Sequence, residues 1–371
     1  MPSLATFNAN NFFLRYRFTN TYPGDQSQAS RVEAAEVGLD GYLPGIAFGR
    51  YTSSFIIWDQ QRRQLAVQAL IEPDEQLPDI LCFQEVENIQ AIRVINQDYM
   101  GGYYPYSMLI DAYDPRNIDV GLLSRFPIKE VRSHADDLEQ NGIRTFSRDC
   151  LEVTIDIPGN NDLTIFLNHL KSKFIQRNAG ETDASFNQRR LNDHLRRQNQ
   201  AQTVRNIVSQ RMQGNHATAL YAVIGDFNDQ PESPYLQPLL SYNQLTDILR
   251  RHRPANDCWT YYWRSRNHVS QIDYILVSRA LRDRIDTFVQ ANPNRIPHIE
   301  RRGLAFRELN ATGEVLPRQS NLVHFETDPV TPLPAGATPS EKIDFRFPRY
   351  PEVIQDWHNN ISDHCPVKVW F

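Results

Sequence analysis

Cysteine is scarce, with four residues in 371. Cys82, Cys150, Cys258 and Cys365 form no C-x-x-C pair and no His/Cys spacing of the zinc kind, and they read as buried, reduced thiols. Long hydrophobic runs are missing too. No stretch approaches the ~18 apolar residues a membrane span needs, so no stable membrane insertion is expected. The opening residues, MPSLATFN, lack the basic and apolar regions of a leader. A cytoplasmic protein is therefore expected, with a secreted mature form, its leader removed, as the alternative. Basic charge is not in excess either: 39 Lys and Arg stand against 44 Asp and Glu, a net charge of −5. A polyanionic partner would have to be held locally, by arginine clusters or by bound metal.

What is present is a core-former. Apolar residues make up 40% and aromatics 11% of the chain, which speaks against wholesale disorder. Short apolar runs bounded by turn residues recur at 3–8, 79–84, 104–110, 119–124, 150–157, 163–169, 219–225, 272–277 and 366–371, and predict strands. Helices are predicted at 62–71, at 88–99 and, most clearly, at about 184–212. In the last, Leu191, Leu195, Ala201, Val204, Val208 and Met212 fall close to one helical face. Arg189, Arg190, Arg196 and Arg197 lie mostly off that stripe and read as a solvated face. Many strands with few long helices point to an α/β layered fold with mixed sheets, in a single domain over 1–371. Two segments, about 12–55 and 292–352, read as long surface insertions.

Polar residues end or interrupt these runs repeatedly. Asn8 and Asn10 close TFNAN, Glu85 ends ILCFQEVEN and His169 ends TIFLNH. Asp226 and Asn228 follow AVIGDFND, Asp273 opens IDYILVS, and Asp363 and His364 open SDHCPVKVWF. Taken singly, each is more often a turn residue or a cap. At strand ends, however, groups distant in sequence can converge on one rim. Hard carboxylate ligands without cysteine suit Mg²⁺ or Mn²⁺. Imidazoles beside carboxylates suit proton transfer, and the set as a whole suits activation of water against a phosphate ester.

In this order the blocks ATFNANN, LCFQEVEN, DVGLLSRFPI, TFSRDCLEV, FLNHLKSK, VIGDFNDQPES, SQIDYILVS and ISDHCPV resemble the endonuclease/exonuclease/phosphatase superfamily, in its deoxyribonuclease I-like and exonuclease III-like branches. The resemblance spans Thr6 to Val367. It implies a four-layer α-β-β-α sandwich with the site along one sheet rim. It implies Glu85 as the principal metal ligand with Asn8 beside it, and Asp363 as a metal or water contact. Asp226 would orient or deprotonate the attacking water, and Asn228 would hold a phosphoryl oxygen. His364 would face the scissile phosphate with Asp273 as its partner, and His169 would be the second histidine, with Asp119 as its candidate partner. Arg148 resembles a phosphate-contacting arginine, and Lys171 and Lys173 are further candidates that strand alternation places on one face.

The chain departs from compact members in its spacings, with 77 positions from Asn8 to Glu85 and 90 from Asp273 to Asp363. The second insertion carries Arg295, Arg301, Arg302 and Arg307, which read as a solvated loop or as a phosphate-backbone grip. Tyr261, Tyr262 and Trp263 beside Arg264 and Arg266 read as core aromatics or as a base-stacking surface. The leading expectation is a Mg²⁺- or Mn²⁺-dependent phosphodiester hydrolase, a nuclease with nucleic acid as substrate. A phosphodiesterase or phosphatase for a lipid or small molecule, sphingomyelinase-like, is the alternative. A catalytically silent binding protein is third, because no block is missing.

Overall fold

The computed structural model describes residues 1–12, 60–139, 141–159, 161–175, 177–263, 268–302, 322–325, 342–344 and 361–371. Most of both expected insertions, together with Arg264, Arg266 and Arg307, lies outside these residues. In chain order the strands are β1 (Ser3–Phe12), β2 (Ile80–Val86), β3 (Tyr106–Leu109), β4 (Asp119–Ser124), β5 (Ile128–Arg132), β6 (Cys150–Ile157), β7 (Asn161–His169) and β8 (Leu220–Asp226). They continue with β9 (Thr246–Asp247), β10 (Tyr261–Trp263), β11 (His268–Ser270), β12 (Asp273–Val277), β13 (His298–Ile299), β14 (Leu322–Phe325), β15 (Lys342–Asp344) and β16 (Val367–Trp370). The helices are α1 (Gln60–Ile71), α2 (Ile89–Tyr99), α3 (Asp183–Arg211), α4 (Gln237–Leu240), α5 (Ile248–His252) and α6 (Arg279–Ala291).

Two six-stranded sheets carry the fold. One has the order β13-β16-β1-β2-β4-β3 and the other β5-β6-β7-β8-β12-β9, while β10, β11, β14 and β15 make a small third sheet. Each large sheet is antiparallel except for one central pair, β1 with β2 and β7 with β8. A parallel pair needs a long crossover, and the chain supplies one in each case, carrying α1 in the first and α3 in the second.

Strand alternation builds the layers. Leu4, Cys82 and Val120 of the first sheet meet Val153, Ile165 and Ile224 of the second in one buried core between the sheets. The opposite faces of the same strands are apolar as well. Phe7 and Phe83 pack with Leu65 and Ile92 of α1 and α2, and Phe166 and Val223 pack with Val204 and Val208 of α3. Strands buried on both faces explain the unbroken apolar runs in the sequence. The result is the expected four-layer α-β-β-α sandwich. Among the described residues, no helix is long and apolar enough to cross a membrane.

Helix α3 corrects one expectation. Arg197 is fully buried, and the inward face runs His194, Arg197, Gln200, Ala201, Val204, Val208. Leu191 and Leu195, on the expected stripe, are exposed. In its first half the helix lies over polar loops rather than over the sheet, so polar residues turn inward there.

Candidate active site

Register places the key strand ends on one edge. His169, the last residue of β7, pairs with Asp226, the last of β8, and Asp226 pairs with Asp273, the first of β12. Gly225 makes the approach of β7 and β8 possible here. Its φ is +128°, and a Cβ on it would lie 2.0 Å from the Asn168 carbonyl oxygen.

On the facing sheet the edge is re-aimed by bulges. Pairing of β1 with β2 is regular to Asn8–Gln84 and resumes only at Phe12–Val86, while β2 meets β4 at Gln84–Val120 and then Val86–Asp119. Glu85 is therefore an extra residue on β2, held at φ 59°, and Asn10 on β1 is at φ 47°. Left-handed backbone at non-glycine residues is strained and bulges redirect side chains, so strain is stored at this rim.

Asp226 is the hub. Its Oδ2 accepts from Asn8 Nδ2 at 2.9 Å and from Asn228 Nδ2 at 3.1 Å, and its Oδ1 accepts from the Asn228 backbone N–H at 2.7 Å. Asn228, at φ 56°, also donates to the Leu170 carbonyl at 3.0 Å. Two imidazoles flank the hub. His169 Nε2 is 3.3 Å from Asp226 Oδ2 and 3.8 Å from Glu85 Oε1. His364 Nε2 is 3.8 Å from the same Asp226 oxygen, and its Nδ1 is bonded to both Asp273 oxygens at 3.1 and 3.0 Å.

The two histidines are electrically opposite. Burial and then the Arg148 charge hold His169 well below the usual imidazole range, so it is neutral. Burial would also lower His364, but the Asp273 and Asp226 carboxylates overcome it and raise the group to about 10. One neutral and one cationic imidazole thus face a single carboxylate.

Several supports of the site carried no signal in the sequence. Thr260 donates to Asp273 Oδ2 at 2.7 Å and accepts from the Asp273 N–H. Ser362 donates to the Asn8 carbonyl at 2.8 Å and accepts from the His364 N–H. The Tyr261 ring lies 4.9 Å from that of His364, while Tyr262 is core. Asp363 sits at the mouth, its Oδ1 4.0 Å from His364 Nε2.

The outer candidates are placed differently from one another. Arg148 is buried, donating to Asp114 Oδ2 at 2.8 Å and to the Leu170 carbonyl. Lys171 and Lys173 lie past the end of β7, where strand alternation no longer applies, and they pair with different carboxylates: Asp193 at 3.2 Å and Asp229 at 3.3 Å. Asp119 is buried, which raises its carboxyl to about 7, and its Oδ1 accepts from the Ala112 N–H. His169 Nδ1 has no hydrogen-bond partner among the described residues, Asp119 included. Arg301 and Arg302 are neither a solvated loop nor a grip. Arg301 is buried on Asp257 and the Trp259 carbonyl, and Arg302 pairs with Glu300 and Glu72.

Asp226, Asp273 and His364 each offer a ligand atom, all within 4.8 Å of one another, and make a candidate metal cluster. With Glu85 beside them the carboxylate oxygens fit a hard divalent cation, while His364 in its charged form has no lone pair to give. The profile of the endonuclease/exonuclease/phosphatase family matches residues 5–294. The chain belongs to this family. No curated protein matches the sequence. Similar solved structures include a family member from Bacteroides thetaiotaomicron, at 15% identity and a TM-score of 0.47, covering 99% of this chain and 96% of that one. A mannosyl-6-phosphatase from the same organism has 15% identity and a TM-score of 0.47, covering 100% and 99%. Sphingomyelinase C from Streptomyces griseocarneus has 13% identity and a TM-score of 0.46, covering 99% and 98%. Family membership makes the chain a phosphoesterase of this kind.

Proposed function

We propose that this phosphoesterase is a divalent-metal-dependent phosphodiester hydrolase acting on nucleic acid. One observation carries the catalytic part: His364, fixed by Asp273, and His169 both approach Asp226 Oδ2, at 3.8 and 3.3 Å. Of the about four acceptor positions on a carboxylate, three on Asp226 are taken by Asn8 and Asn228, leaving one on Oδ1 for a water. Asp226 is then the acceptor for the proton of that water. His364 Nε2–H faces the charge that builds on the phosphoryl oxygens, and the Asp273 bond fixes the orientation of the ring. Asn228 gives both amide protons to Asp226 and the Leu170 carbonyl, and so orients the carboxylate without adding charge.

Glu85, with Asn8 beside it, is the residue proposed to hold Mg²⁺ or Mn²⁺, with Asp363 as a metal or water contact. This placement leaves the Asp273–His364 pair intact. When bound, the cation would neutralise phosphate charge and lower the pKa of a bound water.

For nucleic acid as the substrate, the support is local. Arg116, half-exposed on the loop before β4, and the buried Arg148 share the single carboxylate of Asp114, which leaves net positive charge beside His169. A lipid or small phosphodiester is the second reading, and a specific observation favours it. Lys171, Lys173, Arg301 and Arg302 are occupied in ion pairs, while Leu138, Ile143 and Phe174 stand exposed on the loops that lead into β6 and out of β7. Leu138 and Ile143 are aliphatic, stack poorly on bases and suit acyl chains, while the Phe174 ring suits either.

The test offers plasmid DNA, structured RNA, sphingomyelin and a bis-aryl phosphodiester with Mg²⁺ or Mn²⁺, and with a chelator as control. Cleavage of nucleic acid that is lost in His364→Ala supports the first reading, and turnover of lipid alone the second. Silence on all substrates with both metals removes the hydrolase reading.

A further inference from the structure

Arg197 is the buried charge that the proposed chemistry does not use. It lies on α3 with no exposed side-chain surface, and so does its partner Asp229. A charge held this deep is costly, and an apolar chain of similar size would pack α3 as well or better. What an apolar chain lacks is the planar fork that reaches two loops at once. Nη1 donates to the Lys171 carbonyl at 2.8 Å, two residues past His169. Nε and Nη2 donate to Asp229 Oδ2 at 3.0 and 2.7 Å, one residue past Asn228.

The surroundings hold the fork in place. Nη2 also donates to His194 Nδ1 at 2.6 Å, and the His194 ring is stacked on Tyr235 at 4.5 Å. Asp229 is closed off by Ser233 Oγ at 2.7 Å, the Gln230 N–H at 3.0 Å and Lys173 Nζ at 3.3 Å. Its backbone carbonyl accepts from the Tyr274 hydroxyl at 2.8 Å. The two loops then meet again at the site itself, where Asn228 donates to the Leu170 carbonyl.

We propose that Arg197 is a positioning residue: by tying the loop after β7 to the loop after β8, it holds Asn228 in its left-handed turn and sets it against His169 and Asp226. The catalytic consequence rests on the phosphoesterase reading above; the geometric one does not. Without the fork, the tie between the two loops falls to the Asn228–Leu170 bond and the Lys173–Asp229 pair.

The test compares Arg197→Met, Arg197→Lys, Asn228→Ala and the Arg197→Met/Asn228→Ala pair, each well below its own unfolding temperature. Two readouts are taken: kcat and KM on a bis-aryl phosphodiester, and the side-chain amide resonance of Asn228, assigned by its absence in Asn228→Ala. Arg197→Met is expected to lower kcat by about 100-fold with KM within about 3-fold, the loss a misplacement of about 1 Å produces. It is also expected to move the Asn228 amide resonance. The double variant is expected to be no worse than Asn228→Ala, because both act on one group. Arg197→Lys should recover stability but not kcat, since an ammonium cannot span both loops. It takes the place of Arg197→Met if the latter does not fold. An unmoved Asn228 resonance, or single losses that multiply in the double variant, would overturn the proposal. If the wild-type protein turns over no phosphoester, the phosphoesterase reading fails while the amide resonance still decides the positioning.

Discussion

Replacing Asp273 by Asn tests the electrostatics on which the site depends. The His364 imidazole sits at about 10 against an ordinary 6.5, held there by Asp273 and Asp226 against the opposing effect of burial. The difference corresponds to roughly 5 kcal/mol favouring the charged form, at ~1.4 kcal/mol per unit. Asp273→Asn removes the largest favourable charge, and burial then opposes only Asp226 and Asp363. The imidazole falls back toward ~6.5, so the charged fraction at about pH 8.5 drops from nearly all to ~1%. If the cation is what acts, kcat should be ~100-fold further below wild type at about pH 8.5 than at about pH 6. Any loss of ring orientation lowers both ends alike, so the ratio carries the test. The assays are a pH profile of kcat on a bis-aryl phosphodiester and a titration of the His364 ring protons by NMR in chelator-treated protein. A variant whose ring still titrates near 10, or whose profile parallels that of wild type, refutes the reasoning.

Three further outcomes are expected. Gly225→Ala forces a side chain into the Asn168 carbonyl at a φ few residues tolerate, and should cost more than ~3 kcal/mol by urea unfolding; a loss under ~1 kcal/mol would contradict the packing of β7 on β8. Glu300 is pulled to about 2, because the His298 and Arg302 bonds overcome burial. A depressed carboxyl contributes stability above its unfolded value and loses it as pH falls toward the folded one. Glu300→Gln should therefore be ~2–3 kcal/mol less stable than wild type at neutral pH, with the gap closing between about pH 4.5 and about pH 2. Chelation should abolish turnover and Mg²⁺ or Mn²⁺ restore it; turnover that survives exhaustive chelation would remove the metal from the proposal.

Much of the architecture was legible. Strands buried on both faces write themselves as short apolar runs, and 119–124 and 150–157 coincide with β4 and β6. Strand β5 and helix α6 escaped: the first is only partly buried, and the second keeps Leu281, Ile285 and Phe288 at helical spacing but has too many charged residues on its other face to stand out as an apolar segment. The candidate site residues stood out because each interrupts or ends an apolar run with a polar group. The bulge at Glu85 was not, since it is a mismatch of register between strands and leaves no mark on either one alone.

By itself, the sequence determined which segments become strands, which polar residues stand at their ends, and the family those blocks belong to. These are local properties, set by side-chain period and by residue type. Tertiary structure alone decided the electrical state of the two histidines, because pKa depends on neighbours far away in the chain: Asp273 lies 91 residues from His364. It also decided that Arg197 turns inward and that Lys171 and Lys173 are held by carboxylates. Whether a charge is solvated, paired or buried is fixed by what packs over it, and no stretch of sequence carries that information on its own.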